Sequence, residues 1–345
     1  MTWRIALAAL VGGTPLVAQE IVLVPGFTQE FRGISSRAEE MWASGRGGVF
    51  ARSLDGGTSW KAGRIPGAEG LFLVDVEALG RDTACVLATS FDGGLGRAYR
   101  TTDGGHTWAV SFELAHPEAF LDAMAFWDHH AGVAFGDQVD GAFLILRTDD
   151  GCATWRRVPP DDVPATLEGE AGFAASGTSI ATAGSDHAWI GTGGGHTARV
   201  LRTTDRGGSW TATSTPMPAA VATGIFGVAF LDTLIGMAVG GNYQEPDGNA
   251  PTVLTTIDGG RSWTLATPAA PAGVRFGAVA LPDLDLFVAA GPSGLGFSAD
   301  RGATWSTVDT LAAFALHGSG GRVWAAGPTG WIARVDLRAL VERGR

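Results

Sequence analysis

Thr101-Thr102-Asp103-Gly104-Gly105-His106-Thr107-Trp108 is the stretch on which the fold turns, because five further versions of it run along the chain. The shared form is Ser/Thr-x-Asp-x-Gly-x-Ser/Thr-Trp, and the other copies occupy residues 53–60, 148–155, 203–210, 256–263 and 298–305. Their aspartates are Asp55, Asp103, Asp150, Asp205, Asp258 and Asp300. Their closing tryptophans, Trp60, Trp108, Trp155, Trp210, Trp263 and Trp305, fall 48, 47, 55, 53 and 42 residues apart. Self-similarity at such a period marks a repeat architecture. The third copy departs from the form, with Cys152 where the other five have the later glycine.

The chemistry of the repeat is that of a tight turn. An aspartate accepts hydrogen bonds from nearby backbone N–H groups, and glycines supply φ > 0. The tryptophan then buries a large apolar surface as the chain re-enters a strand. Apolar or β-branched stretches precede the copies, at residues 97–100, 143–147, 198–202 and 252–255. Each copy is therefore read as the hairpin between two strands, and its aspartate as a structural group rather than a catalytic one. The motif resembles the Asp-box, or bacterial neuraminidase repeat, and that resemblance implies β-propeller blades.

With 345 residues the chain exceeds the usual single core of about 250–300 residues, a limit that a ring of thin blades avoids. Fifty-two glycines, 12 tryptophans and only 17% charged residues suit many short strands joined by tight turns. The net charge is −11 and Lys61 is the single lysine, so nucleic acid is not expected as a partner. Residues 1–18 carry Arg4, an apolar run over residues 5–11 and Leu16-Val17-Ala18. They read as a secretory leader cleaved near Ala18, with an ordinary apolar N-terminus as the alternative. No later run approaches the ~18 apolar residues of a membrane helix. Cys85 and Cys152 fall in different repeats; a disulfide between them is unpromising, and both are read as small buried apolar residues.

The first box organises a four-stranded meander A-B-C-D, with strands expected at residues 31–35, 41–44, 49–53 and 60–65 and the box at the C–D turn. Further blades follow at residues 72–114, 120–158, 174–212, 225–266 and 275–308. After them come three strands at residues 314–316, 322–326 and 331–335, one short of a blade. The lone strand at residues 19–24 is the missing fourth, and pairing the two chain ends removes exposed edges. The expectation is an all-β, seven-bladed propeller over residues 19–337, closed by its N-terminal strand, with residues 338–345 as a short helix or frayed tail, acting as a monomer.

Alternation of strand direction puts the A–B turns and the boxes on one face, and the B–C turns and blade crossovers on the other. Residues 136–141, 192–197 and 241–251 read as the longest B–C turns, and loops placed by a rigid scaffold are where binding resides. The inner strands begin on the same face, as Phe31-Arg32-Gly33-Ile34, Leu73-Val74-Asp75-Val76, Phe120-Leu121-Asp122-Ala123, Ile225-Phe226-Gly227-Val228 and Arg275-Phe276-Gly277-Ala278. Arg32, Asp75, Asp122, Glu170 and Arg275 are thus expected around the channel mouth, with Asp137, Asp140, Asn242 and Tyr243 on neighbouring loops. This cluster is the candidate binding site. Its plain alternative is that the charges stitch blades together, Arg32 bridging to Asp75 or Asp122.

Taken whole, the chain resembles the photosystem II stability/assembly factor-like group of Asp-box propellers. The resembling segments are Phe31-Arg32-Gly33-Ile34-Ser35, residues 120–126 and 169–178, Gly240-Gly241-Asn242-Tyr243 and Gly291-Pro292-Ser293-Gly294. The resemblance implies an exported, non-catalytic scaffold that binds a protein partner or a glycan. A sialidase-like glycosidase is the rival, but Arg64-Ile65-Pro66 follows its box where that family's signature precedes it. Only Tyr99 and Tyr243 could serve as a tyrosine nucleophile, Tyr243 having Glu245 two residues on. Gly191-Thr192-Gly193-Gly194-Gly195 leads into a strand rather than a helix, which argues against a dinucleotide loop. His129-His130 lacks metal-ligand spacing, the acidic stretch at residues 245–249 is weak as a calcium loop, and Ser293 sits in a turn without the helix of a nucleophile elbow. No metal and no cofactor are expected.

Overall fold

The computed structural model describes residues 4–11, 14–25, 27–269 and 272–338, with side chains from Glu20 onward. Seven antiparallel sheets follow one another. In the first blade the strands are Phe31–Arg37, Glu40–Gly45, Val49–Ser53 and Lys61–Arg64. The inner strands of the next six blades are Leu71–Gly80, Leu121–Phe126, Ile180–Ala183, Thr223–Phe230, Gly277–Leu281 and Ala315–Ser319. These inner strands touch in sequence order, and the seventh touches the first, so the ring is closed.

Closure comes from the chain ends. Thr14–Leu23 pairs with Trp331–Asp336 in the last sheet, with Gln19 opposite Val335 and Leu23 opposite Trp331. Arg4–Val11 then adds a fifth strand outside it. Residues 1–3, 12 and 13 of the expected leader, and residues 339–345 of the expected tail, lie outside the described residues.

The core is distributed. Seven apolar clusters are present among the described residues, each drawn from two adjacent blades. Trp189 on the fourth blade, fully buried, stacks on Phe230 of the fifth at 3.5 Å, and Phe230 meets Trp263 edge-on at 6.0 Å. Such interfaces bury aromatic area without a common centre.

All six boxes lie at C–D turns and use one set of bonds. In the second, Thr101 donates its hydroxyl to Asp103 Oδ1 at 2.9 Å and accepts the Gly105 N–H at 3.0 Å. Asp103 Oδ1 takes the Thr107 N–H at 2.9 Å and Oδ2 its hydroxyl at 2.6 Å. The same pairing recurs at Asp55 with Ser59, Asp150 with Thr154, Asp205 with Ser209, Asp258 with Ser262 and Asp300 with Thr304. These donors hold the box carboxyls below the usual range, Asp103 and Asp258 at about 2.

Two expectations are corrected. Cys85 and Cys152 are disulfide-bonded, Cα to Cα 6.0 Å, and clamp blade two to the box of blade three. The neighbouring blades bring together two cysteines that are 67 residues apart in sequence. Cys152 takes φ +68°, the conformation that glycine supplies in the other boxes, so the odd third copy is the second half of a cross-link. Residues 136–141 are also not a long loop. The strands pair as far as Val139 and Ala142, leaving Asp140 and Gly141 at φ +56° and +78° in a two-residue turn.

Candidate functional site

The channel is not open on the face opposite the boxes. Between blades three and four the chain leaves Pro160–Asp162 and runs inward as residues 169–179, pinned where Ala171 bridges Gly193. It crosses the axis and bonds to most of its neighbours. Arg32 of blade one donates to the Ala175 carbonyl at 2.9 Å, and Ser176 donates to that of Phe276 at 2.7 Å. The Val228 N–H reaches the Thr178 carbonyl at 2.8 Å, and the Ala278 N–H its hydroxyl at 3.1 Å. A Cβ on Gly172 would lie 2.4 Å from Asp122 Oδ2, and one on Gly177 2.5 Å from Asp75 Oδ1, so both positions need glycine to let the plug seat.

The plug divides the axis into two cavities. On the outer side a bowl of about 270 Å³ is lined by Arg32, Phe173, Ala174, Ala175, Phe226, Tyr243 and Phe276. Phe173 stands edge-on to Phe226 at 4.5 Å, and Tyr243, 45% exposed, closes one side at 6.3 Å from Phe226. The Arg32 guanidinium lies over Phe314 at 4.6 Å and donates to Glu30 at 3.2 Å, while its Nε has no partner among the described residues. Burial lowers the Arg32 pKa, and Glu30 partly restores it. Glu30 also holds Arg46 at 2.6 Å.

On the inner side a cavity of about 330 Å³ is lined by Asp75, Glu77, Ser176, Thr178, Thr182 and His317 among apolar and backbone groups. It reaches Phe126, Thr182, Phe230 and Gly318 near the ends of their inner strands, hence toward the box face. A third cavity, about 500 Å³, lies between the first two boxes. Its Asp55 is tied to Ser53 and Ser59, and its Arg52 to Glu40, so those groups serve the turn and the blade.

The expected ring of charges is therefore dispersed. Arg32 alone lines the bowl; it bonds to Glu30 and the plug, with neither Asp75 nor Asp122 as its partner. Asp75 lies beneath the plug, and its oxygens take the N–H groups of Val76 and Met124, each at 2.8 Å. Burial, then Glu77, raises its pKa well above the usual value. Asp122 is 1% exposed and neither oxygen has a hydrogen-bond partner among the described residues; burial, then Asp137, raises it as well. Asp137 is pushed up to about 6 by burial, although it accepts the Gly172 N–H at 2.8 Å. Glu170 is bound by Arg199 and Thr192 and fastens the loop that follows the second strand of blade four. Arg275 is fully buried on carbonyls of Gly294 and Ala272 and on Ser293, its pKa lowered to about 10 by burial. Asp140 meets Glu118 and His116 at the surface, and Asn242 shapes the Tyr243 loop through the Gln244 N–H.

Sequence reasoning missed the aromatic lining, although a signal was present. Arg32, Phe226 and Phe276, all on the wall of the bowl, each precede a small residue of an inner strand, Gly33, Gly227 and Gly277, and Phe314 beneath Arg32 likewise precedes Ala315. Reading the position before the small residue, rather than charge alone, finds the bowl.

No protein-family model and no curated protein matches the chain. Among solved structures, "YCF48 bound to D1 peptide" is 14% identical over 95% of this chain and 99% of that one, with a TM-score of 0.64. YCF48 from Cyanidioschyzon merolae is 17% identical over 91% and 98%, with a TM-score of 0.63. A catalytically inactive virginiamycin B lyase from Staphylococcus aureus, solved with quinupristin, is 15% identical over 93% and 99%, with a TM-score of 0.63. At such identities the likeness establishes the propeller fold alone.

Proposed function

We propose that the chain is an exported, non-catalytic scaffold that grips a protein partner on the face opposite the Asp boxes. The observation that carries this is the bowl above the plug: four aromatic rings and one guanidinium that is not fully bonded, gathered from the plug and from blades one, five and six around a solvent-open floor. Aromatic side chains and arginine are the groups that dominate protein interfaces. A propeller of the same fold has been solved with a peptide bound, which supports the reading. The Cys85–Cys152 disulfide supports an oxidising compartment and so the reading of residues 1–18 as a leader.

The test is capture of partners from the native envelope with wild-type chain, Tyr243→Ala and His106→Ala. Tyr243 is an exposed wall of the bowl, and His106 lies on the box face. Partners lost with Tyr243→Ala and kept with His106→Ala support the proposal; the reverse pattern refutes it. A sugar stacked on Tyr243 is the competing occupant, and a glycan array separates the two.

A further inference from the structure

Glu77 is an exception among the inward-facing glutamates. Glu30, Glu40 and Glu170 have side chains less than a fifth exposed, at 19%, 8% and 0%, and each holds an arginine: Arg32 and Arg46, Arg52, and Arg199. Glu77 accepts the Ser35 hydroxyl at 2.7 Å and, among the described residues, forms no ion pair. It faces the channel cavity, whose wall contains no arginine or lysine among the described residues.

The polar side chains of that wall are complementary to a cation. Asp75 and Glu77 come from blade two, Ser176 and Thr178 from the plug, Thr182 from the inner strand of blade four, and His317 from blade seven. His317 Nε2 shares a hydrogen bond with Ser36 Oγ at 2.8 Å, and burial lowers its pKa to about 4, so it is neutral at ordinary pH. A carboxylate drawn away from water without a counter-charge either keeps a proton or takes up a cation.

We propose that the box-face half of the channel binds the ammonium or guanidinium head of an organic cation, with Glu77 as its counter-charge. The cavity volume of about 330 Å³ matches the liquid share of about ten waters, enough for a short linear amine or the end of an arginine side chain. Thr178 and Thr182 hydroxyls offer further acceptors to the N–H groups of the head. A divalent metal is served less well, because both Asp75 oxygens already take backbone N–H groups and hard cations seek several free oxygens. The site lies beneath the plug and is separate from the partner surface proposed above.

The experiment is calorimetric titration of the whole protein at about pH 8 with agmatine, and separately with the blocked peptide acetyl-Gly-Arg-Gly-amide. Saturable one-site binding is expected, weakened about tenfold or more by Glu77→Gln, which keeps the Ser35 contact while removing the charge. Agmatine binding alone identifies a free small organic cation as the ligand; peptide binding identifies a basic side chain of a partner. Should the variant fail to fold, the wild-type pH profile serves in its place. Of the groups facing the head, His317, lowered to about 4, stays neutral; burial raises Asp75 well above the usual carboxylate value and Glu77 to about 7, so negative charge at the head, and with it affinity, rises between about pH 5.5 and 8. The proposal is overturned if neither probe binds wild type, if Glu77→Gln binds equally well, or if calcium chloride binds more tightly than both.

Discussion

Asp75 Oδ2, on the inner strand of blade two, accepts the backbone N–H of Met124 on the inner strand of blade three at 2.8 Å. Its other oxygen takes the Val76 N–H, so one side chain fixes the register of two blades at the axis. Asp75→Asn keeps the size but turns one acceptor into a donor aimed at an N–H. The fold is expected to lose about 1–3 kcal/mol, read as a lower denaturant midpoint. An unchanged midpoint contradicts the bridging role.

The third box trades a glycine for a cross-link. Removing both thiols is expected to cost about 2–4 kcal/mol by loss of the loop constraint. In a Cys85→Ala background, Cys152→Gly should be more stable than Cys152→Ala by about 1 kcal/mol, because alanine retains the left-handed conformation without the bond that accompanies it. Denaturant midpoints of the two double variants decide this, and equal stability refutes the account.

Stability should fall between about pH 5 and 8. Glu77 and Asp137 have folded pKa values of about 7 and about 6, above 4.5 and 3.8. Each therefore contributes stability that is fully present below its unfolded value and is lost as pH rises through its folded one. Asp75 and Asp122 act in the same direction. His317 opposes them: lowered from 6.5 to about 4, its contribution is lost as pH falls through that window. The box carboxyls, held low, lose theirs only in stronger acid. Glu77→Gln should flatten the decline by about 2 kcal/mol. Thermal midpoints that rise from pH 5 to 8 in wild type would contradict this sign.

The closing strand makes a length prediction. Every pair between the N-terminal strand and Trp331–Asp336 involves Gln19 to Leu23. A chain beginning at Gln19 should keep its melting temperature, while one beginning at Phe27 should lose cooperative unfolding, since the last blade then has an open edge. Circular dichroism melts of the two chains check both statements.

The ring was legible in the sequence because the boxes repeat, and each box dictates the same local bonds wherever it occurs. Asp55 and Asp300 do the same work although they are far apart in the chain. The candidate site was less legible because it depends on residues 169–179, whose second half reads in sequence as the start of blade four, whereas the first strand of that blade begins only at Ile180. Once that segment crosses the axis, Asp75 and Asp122 go under cover, and Phe173 joins rings from other blades. The pairing of Cys85 with Cys152 was hidden for a related reason: only assembled neighbouring blades bring the two sulfurs within reach.

Ala174 and Ala175 floor the bowl, while Ser176, Gly177 and Thr178 roof the cavity behind it. Five consecutive residues thus form a shared partition, with opposite sides wetted from opposite ends of the disc. Among the described residues this wall closes the passage from end to end, and each chamber takes part of its shape from the same five residues. The two ends of the molecule are joined mechanically where a hollow axle would have kept them independent.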